Sequence, residues 1–151
     1  MRALRVVTMV LALSLSLFAA ENPFSGTWRL NLSKSKMTPP PKGEIVRVDA
    51  DDNGIKVTDD VTEVEGRLNE VNYEAKFDGK DYPAKGTHDF DAVSFHRVNS
   101  NTLKAKTKKA GKVVGHYTFV VSEDGKTTTL NYTETRPEGK PIKGLAVYDK
   151  Q

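Results

Sequence analysis

From Trp28 onward the apolar side chains recur at every second position. Trp28, Leu30 and Leu32 alternate with Thr27, Arg29 and Asn31, and Val71, Tyr73, Ala75 and Phe77 alternate with Asn72, Glu74 and Lys76. A period of two sends successive side chains to opposite faces of an extended backbone, so each run reads as a strand with one face buried and one in water. Residues 26–32 and 71–77 are two such runs. Further strands are expected over 44–49, 55–59, 61–65, 92–98, 102–108, 112–121, 126–134 and 142–148. No stretch carries the 3.6-residue apolar spacing of an amphipathic helix.

The residues between the runs specify how the strands connect. Asn53-Gly54, Asp78-Gly79, Ala110-Gly111 and Asp124-Gly125 each separate two alternating segments. Such dipeptides accept the positive φ that tight antiparallel hairpins require. The Pro-rich run 38–41 lies between the first and second strands and is expected to be an extended loop, because proline cannot donate to a sheet ladder. The expected fold is therefore all-β: an antiparallel up-and-down meander closed into a β-barrel of about 8–10 strands, since closure removes exposed edges. A β-sandwich is the alternative, although it usually needs longer crossovers than these loops provide. Closure requires the 26–32 strand to pair with the 142–148 strand.

A chain of 151 residues has room for one such domain. Residues 1–20 are expected to be a cleaved signal peptide: Arg2 and Arg5 form a basic start, an apolar run follows from Val6 to Phe18, and Ala19-Ala20 supplies small residues for cleavage. The run is shorter than the ~20 apolar residues of a membrane-spanning helix. Residues 21–151 are then the barrel domain, secreted or periplasmic, with no transmembrane segment in the mature protein. The full chain carries 23 Lys and Arg against 20 Asp and Glu. Loss of Arg2 and Arg5 leaves 21 against 20, a net charge of +1, too little basic surface for a nucleic-acid partner. Lys104, Lys106 and Lys108 alternate with Leu103, Ala105 and Thr107 and read as the water-facing side of one strand. The absence of cysteine excludes disulfides, thiolate metal sites and a cysteine nucleophile.

The segment Phe24-Ser25-Gly26-Thr27-Trp28 resembles the G-x-W entry to the first strand of lipocalins and related calycin barrels, in which the Trp closes one end. Asp78-Gly79-Lys80, Gly111-Lys112-Val113-Val114, Asp124-Gly125-Lys126-Thr127 and the closing Ala146-Val147-Tyr148-Asp149-Lys150 look like small secreted bacterial lipocalin-like proteins. The resemblance implies a calycin-type barrel that binds a small apolar or amphipathic molecule. The chain departs from fatty-acid-binding proteins after the first strand, where residues 33–43 are too short and too Pro-rich for a helix pair. The other reading is a structural or interaction protein of the cell envelope, with a solid barrel and loops that bind or inhibit a protein.

Enzymatic motifs do not appear: there is no Gly-rich phosphate loop, no His-Glu-x-x-His and no Gly-x-Ser-x-Gly. Neither an enzyme nor a cofactor is expected. His88, His96 and His116 are dispersed and read as surface or rim residues. Asp49, Asp51, Asn53 and Asp60 fit the spacing of a calcium loop, with Gly54 at its sixth position, although a solvated hairpin tip explains the same residues. The ligand-binding candidates are the aromatics on the apolar faces, Trp28, Tyr73, Phe77, Phe95, Tyr117, Phe119 and Tyr148. Arg97 is in phase with Val93 and Phe95, and is expected either to stack on an aromatic such as Trp28 or pair with a carboxylate at the barrel mouth, or else to anchor a ligand carboxylate.

Overall fold

The computed structural model describes residues 21–135 and 139–151. The period of two is realised as ten antiparallel strands among these residues: β1 (Gly26–Leu30), β2 (Gly43–Ala50), β3 (Gly54–Thr62), β4 (Leu68–Lys76), β5 (Tyr82–Lys85), β6 (Ala92–Asn99), β7 (Thr102–Lys109), β8 (Lys112–Val121), β9 (Thr127–Thr135) and β10 (Pro141–Lys150). They follow one another around a closed barrel, and β1 seals it against β10. The register of the seam is Trp28 opposite Lys150 and Leu30 opposite Tyr148. The meander, the closure and the predicted pairing of the first and last strands are all present. The signal-peptide reading falls on residues 1–20, outside the described residues.

Local differences from the sequence reading have identifiable causes. The first strand ends at Leu30, and Asn31 caps a short 3-10 turn over Leu32–Lys34 by accepting from the Lys34 N–H, which leaves Leu32 exposed. The chain rejoins the β10 edge through a Lys36–Leu145 bridge just before the Pro-rich run. Run 55–59 and the start of run 61–65 are one strand, β3, because Asp59 and Asp60 stay in the ladder opposite Val71 and Glu70, and residues 63–66 form the turn to β4. The four-residue β5 was not legible, since Tyr82-Pro83-Ala84-Lys85 is too short to display a period. Gly54 has no positive φ; its missing side chain lets β3 approach β4, where an added Cβ would lie 2.6 Å from the Ala75 carbonyl oxygen. Ala110 and Gly111, by contrast, both have positive φ (48° and 78°), as a type I′ hairpin turn demands.

The outward-facing positions carry charged and polar side chains, including Arg47, Lys56, Glu74, His96, Lys104, Lys106 and His116, all exposed. A lipid-facing barrel wall would be apolar there. The inward positions differ between the two ends. At the end holding the β2–β3 hairpin, Phe24, Trp28, Ile55, Ala75, Leu103, Val121 and Leu130 pack into the core. Trp28 is 3% exposed and donates its indole N–H to the Phe24 carbonyl at 2.9 Å, so the residues before β1 fold under the barrel as a floor. Burying one such side chain contributes about 2 kcal/mol.

Candidate functional site

Above the floor the barrel encloses a cavity of about 330 Å³, at the lower end of the range of small-molecule sites. It extends from Trp28 and Phe24 past Phe95, Phe119, Leu103 and Ala105 to Glu63, Asn69, Thr87, Asp89 and Phe90 at the opposite end. Asp89 is exposed, so the cavity reaches water there. The interior is therefore not filled by its own side chains.

Its polarity is graded because the carboxyl side chains that line it, Glu44, Asp59, Glu63, Asp89 and Glu134, lie toward the end away from the floor. In β3, Ile55, Val57, Asp59 and Val61 share the inward face, and in β2 Glu44 shares it with Val46 and Val48. In β9, Glu134 follows Thr128, Leu130 and Tyr132. Glu44 accepts a 2.7 Å hydrogen bond from the Tyr148 hydroxyl, and Glu134 accepts one of 2.7 Å from the Tyr117 hydroxyl. Asp59 and Glu44 lie within hydrogen-bonding reach of each other, and Asp59 Oδ1 is buried without a partner.

Burial pushes both carboxyls upward, Asp59 far more than Glu44, because Tyr148 stabilises ionised Glu44 while Glu44 itself repels charge on Asp59. Together the two carboxyls hold a proton more readily than exposed ones would. Burial and the neighbouring carboxyls also keep Tyr73, Tyr117 and Tyr148 firmly protonated, with desolvation the largest cause for each. The surface that Glu44, Asp59 and Tyr73 still expose faces this cavity and not bulk water, which is why half-buried groups are so strongly desolvated.

The aromatics form a continuous ladder along one wall. Ring centroids are 5.8 Å apart for Tyr73 and Phe95, 6.3 Å for Phe95 and Phe119, 6.3 Å for Phe119 and Tyr117, and 6.4 Å for Tyr117 and Tyr132, all stacked. Two glycines make room for it. A Cβ at Gly115 would lie 2.4 Å from Thr107 Oγ1 and 2.6 Å from Tyr117, and one at Gly144 would lie 2.2 Å from Tyr132.

Of the sequence-predicted residues, Trp28, Tyr73, Phe95, Tyr117, Phe119 and Tyr148 line the cavity; Phe77 and Arg97 do not. Arg97 lies at the closed end, where its guanidinium sits 4.6 Å over the Phe77 ring and donates 2.9 Å to the Asp51 carbonyl and 3.4 Å to Asp52. It stacks on Phe77, leaving Trp28 to face Lys150 Nζ at 5.3 Å. The anchor role for a ligand carboxylate is therefore not realised.

The calcium spacing is not realised either. Asp51 Oδ1 accepts from the Asn53 and Gly54 N–H groups, Asp49 stands opposite Lys56, and Asp60 is far up β3 in an ion pair with Arg47. A continuous strand separates the fourth ligand from the other three, and no group of His, Cys, Asp or Glu among the described residues is arranged to hold a metal.

Sequence reasoning missed Glu44, Asp59, Tyr132, Glu134 and Phe90. The signal for the first two was present, as an acidic residue in phase with apolar ones in Glu44-x-Val46-x-Val48 and Ile55-x-Val57-x-Asp59-x-Val61.

No protein-family model and no curated protein matches the chain. Among solved structures, it is similar to the zebrafish ileal bile acid-binding protein, crystallised with cholic acid. The TM-score is 0.52 and the identity 8%, over 85% of this chain and 99% of that one. At that identity the likeness is one of fold: a ten-strand antiparallel barrel.

Proposed function

We propose that the protein is a secreted or periplasmic calycin-type carrier that holds a small, largely apolar molecule inside its barrel. The observation that carries this reading is the enclosed cavity of about 330 Å³, walled by Trp28, Phe95, Leu103, Phe119 and Leu130 and bearing carboxyl groups at one end only. The similar fold of a bile acid-binding protein supports the same use of the interior. The basic, then apolar, then small-residue order of residues 1–20 supports export. A solid envelope protein with a loop-borne partner would have no use for such a hollow.

The test is binding of the uncharged dye N-phenyl-1-naphthylamine to residues 21–151. Fluorescence should rise on mixing and fall when Ala105, in the middle of the cavity wall, is replaced by Phe. Absence of dye binding by the parent, or undiminished binding by folded Ala105→Phe, would defeat the proposal. N-terminal sequencing of exported protein should find a start near Glu21; an intact Met1 would defeat the export reading.

A further inference from the structure

We infer that the molecule carried in the barrel bears a positively charged nitrogen: a small amphiphilic amine whose apolar body lies among Phe95, Leu103 and Phe119 and whose ammonium group meets Glu44 and Asp59. This rests on the carrier reading and specifies the class of ligand. Among the described residues, five carboxyl side chains reach the cavity, Glu44, Asp59, Glu63, Asp89 and Glu134, and no Lys, Arg or His does. A carboxylate ligand would find no counter-charge there, since Arg97 is spent at the closed end on Phe77, Asp51 and Asp52. An apolar ligand without a donor would leave Asp59 Oδ1 as it stands, buried and unpaired, a state that costs free energy. An ammonium group supplies what is missing on both counts. It brings several N–H donors and a positive charge to a site where surrounding protein replaces water, and charge-assisted hydrogen bonds are the strong ones there. Glu44 already takes the Tyr148 hydroxyl at 2.7 Å, which holds its carboxyl in place to receive the second donor.

The experiment compares decylamine, decanol and decanoate, three ligands with one chain and different heads, as competitors of N-phenyl-1-naphthylamine on the parent protein and on Glu44→Gln/Asp59→Asn. The expected order for the parent is decylamine tighter than decanol by about tenfold, with decanoate weakest. In the double variant, whose amides match the carboxyls in shape, the amine-to-alcohol ratio should collapse to about one. Equal binding of decylamine and decanol by the parent, or tightest binding of decanoate, would overturn the inference while leaving the carrier reading intact. If the dye and all three competitors fail to bind the parent, the carrier reading falls and the inference with it. The parent measurements decide even if the double variant does not fold. A folded variant that retained the full amine preference would remove Glu44 and Asp59 from the assignment.

Discussion

Tyr132 lies directly over Gly144, its partner across the β9–β10 ladder, at a distance that leaves no room for a methyl group: a Cβ there would stand 2.2 Å from the Tyr132 ring and hydroxyl. The glycine therefore shapes the cavity wall through Tyr132, since its missing side chain lets the aromatic ring lie along β10.

Gly144→Ala should push the Tyr132 ring toward the cavity. A destabilisation of about 1–2 kcal/mol is expected from the overpacking, together with weaker dye binding because the displaced ring occupies ligand space. Replacing Tyr132 with Leu in the same molecule should recover most of the loss. Chemical denaturation of the two single variants and the double variant gives the coupling directly.

Asp59→Asn should stabilise the unliganded protein at neutral and alkaline pH. Burial raises the folded-state pKa of Asp59 above the ordinary aspartate value of 3.8. A folded group raised in this way favours the native state fully below the unfolded value, and that contribution is lost as pH rises through the folded one. Asparagine does not titrate, and its amide can donate to ionised Glu44. The variant should melt higher at pH 8, by about 4 °C for each kcal/mol gained, and the gain should vanish near pH 4. Asp51, Asp78, Asp124 and Asp149 act in a separate window: hydrogen bonds hold each below 3.8, so their contributions are lost only as pH falls further. Melting curves of parent and variant across pH 4–8 check the sign, and a variant that melted lower at pH 8 would contradict it.

Arg97→Leu should lower stability without changing the order of ligand affinities. The pair with Asp52, whose side chain is 98% exposed, contributes little. What is lost is the stack on Phe77 and the bond to the Asp51 carbonyl, together about 1–2 kcal/mol. Thermal melts and dye displacement on the same variant separate the two effects.

Phe90→Ala should speed ligand exchange. The segment between β5 and β6 crosses the open end, held down where Gly86 meets the Glu70 carbonyl so closely that a Cβ would be 1.7 Å away, and it places Thr87, Asp89 and Phe90 on the cavity. Removing the ring opens the exit, so stopped-flow dye release should quicken several-fold. An unchanged release rate would place the exit elsewhere.

Much of this architecture was legible in the residues. Alternation located the long strands to within a few positions, the Gly-containing dipeptides marked the hairpins, and six of the eight predicted ligand-lining residues face the cavity. The acidic site was harder to see because its members are remote in sequence. Glu44 and Tyr148 are joined by one hydrogen bond although 104 positions apart. Arg97 shows the limit of phase as a guide: alternation gives its side of the sheet correctly, but not its height in the barrel, and height decides whether an inward residue meets a ligand or the floor.

The sequence by itself determined the all-β class, the meander order and which face of most strands is buried, because a period of two and turn chemistry act between neighbours in the chain. Only the tertiary structure decided that the interior is hollow, that its open end is acidic and that the calcium-like spacing is spread along a strand. Those properties depend on the stagger of strands around a closed barrel, which brings Glu44, Asp59 and Tyr148 together and carries Asp60 away from Asp49, and no local pattern encodes that stagger.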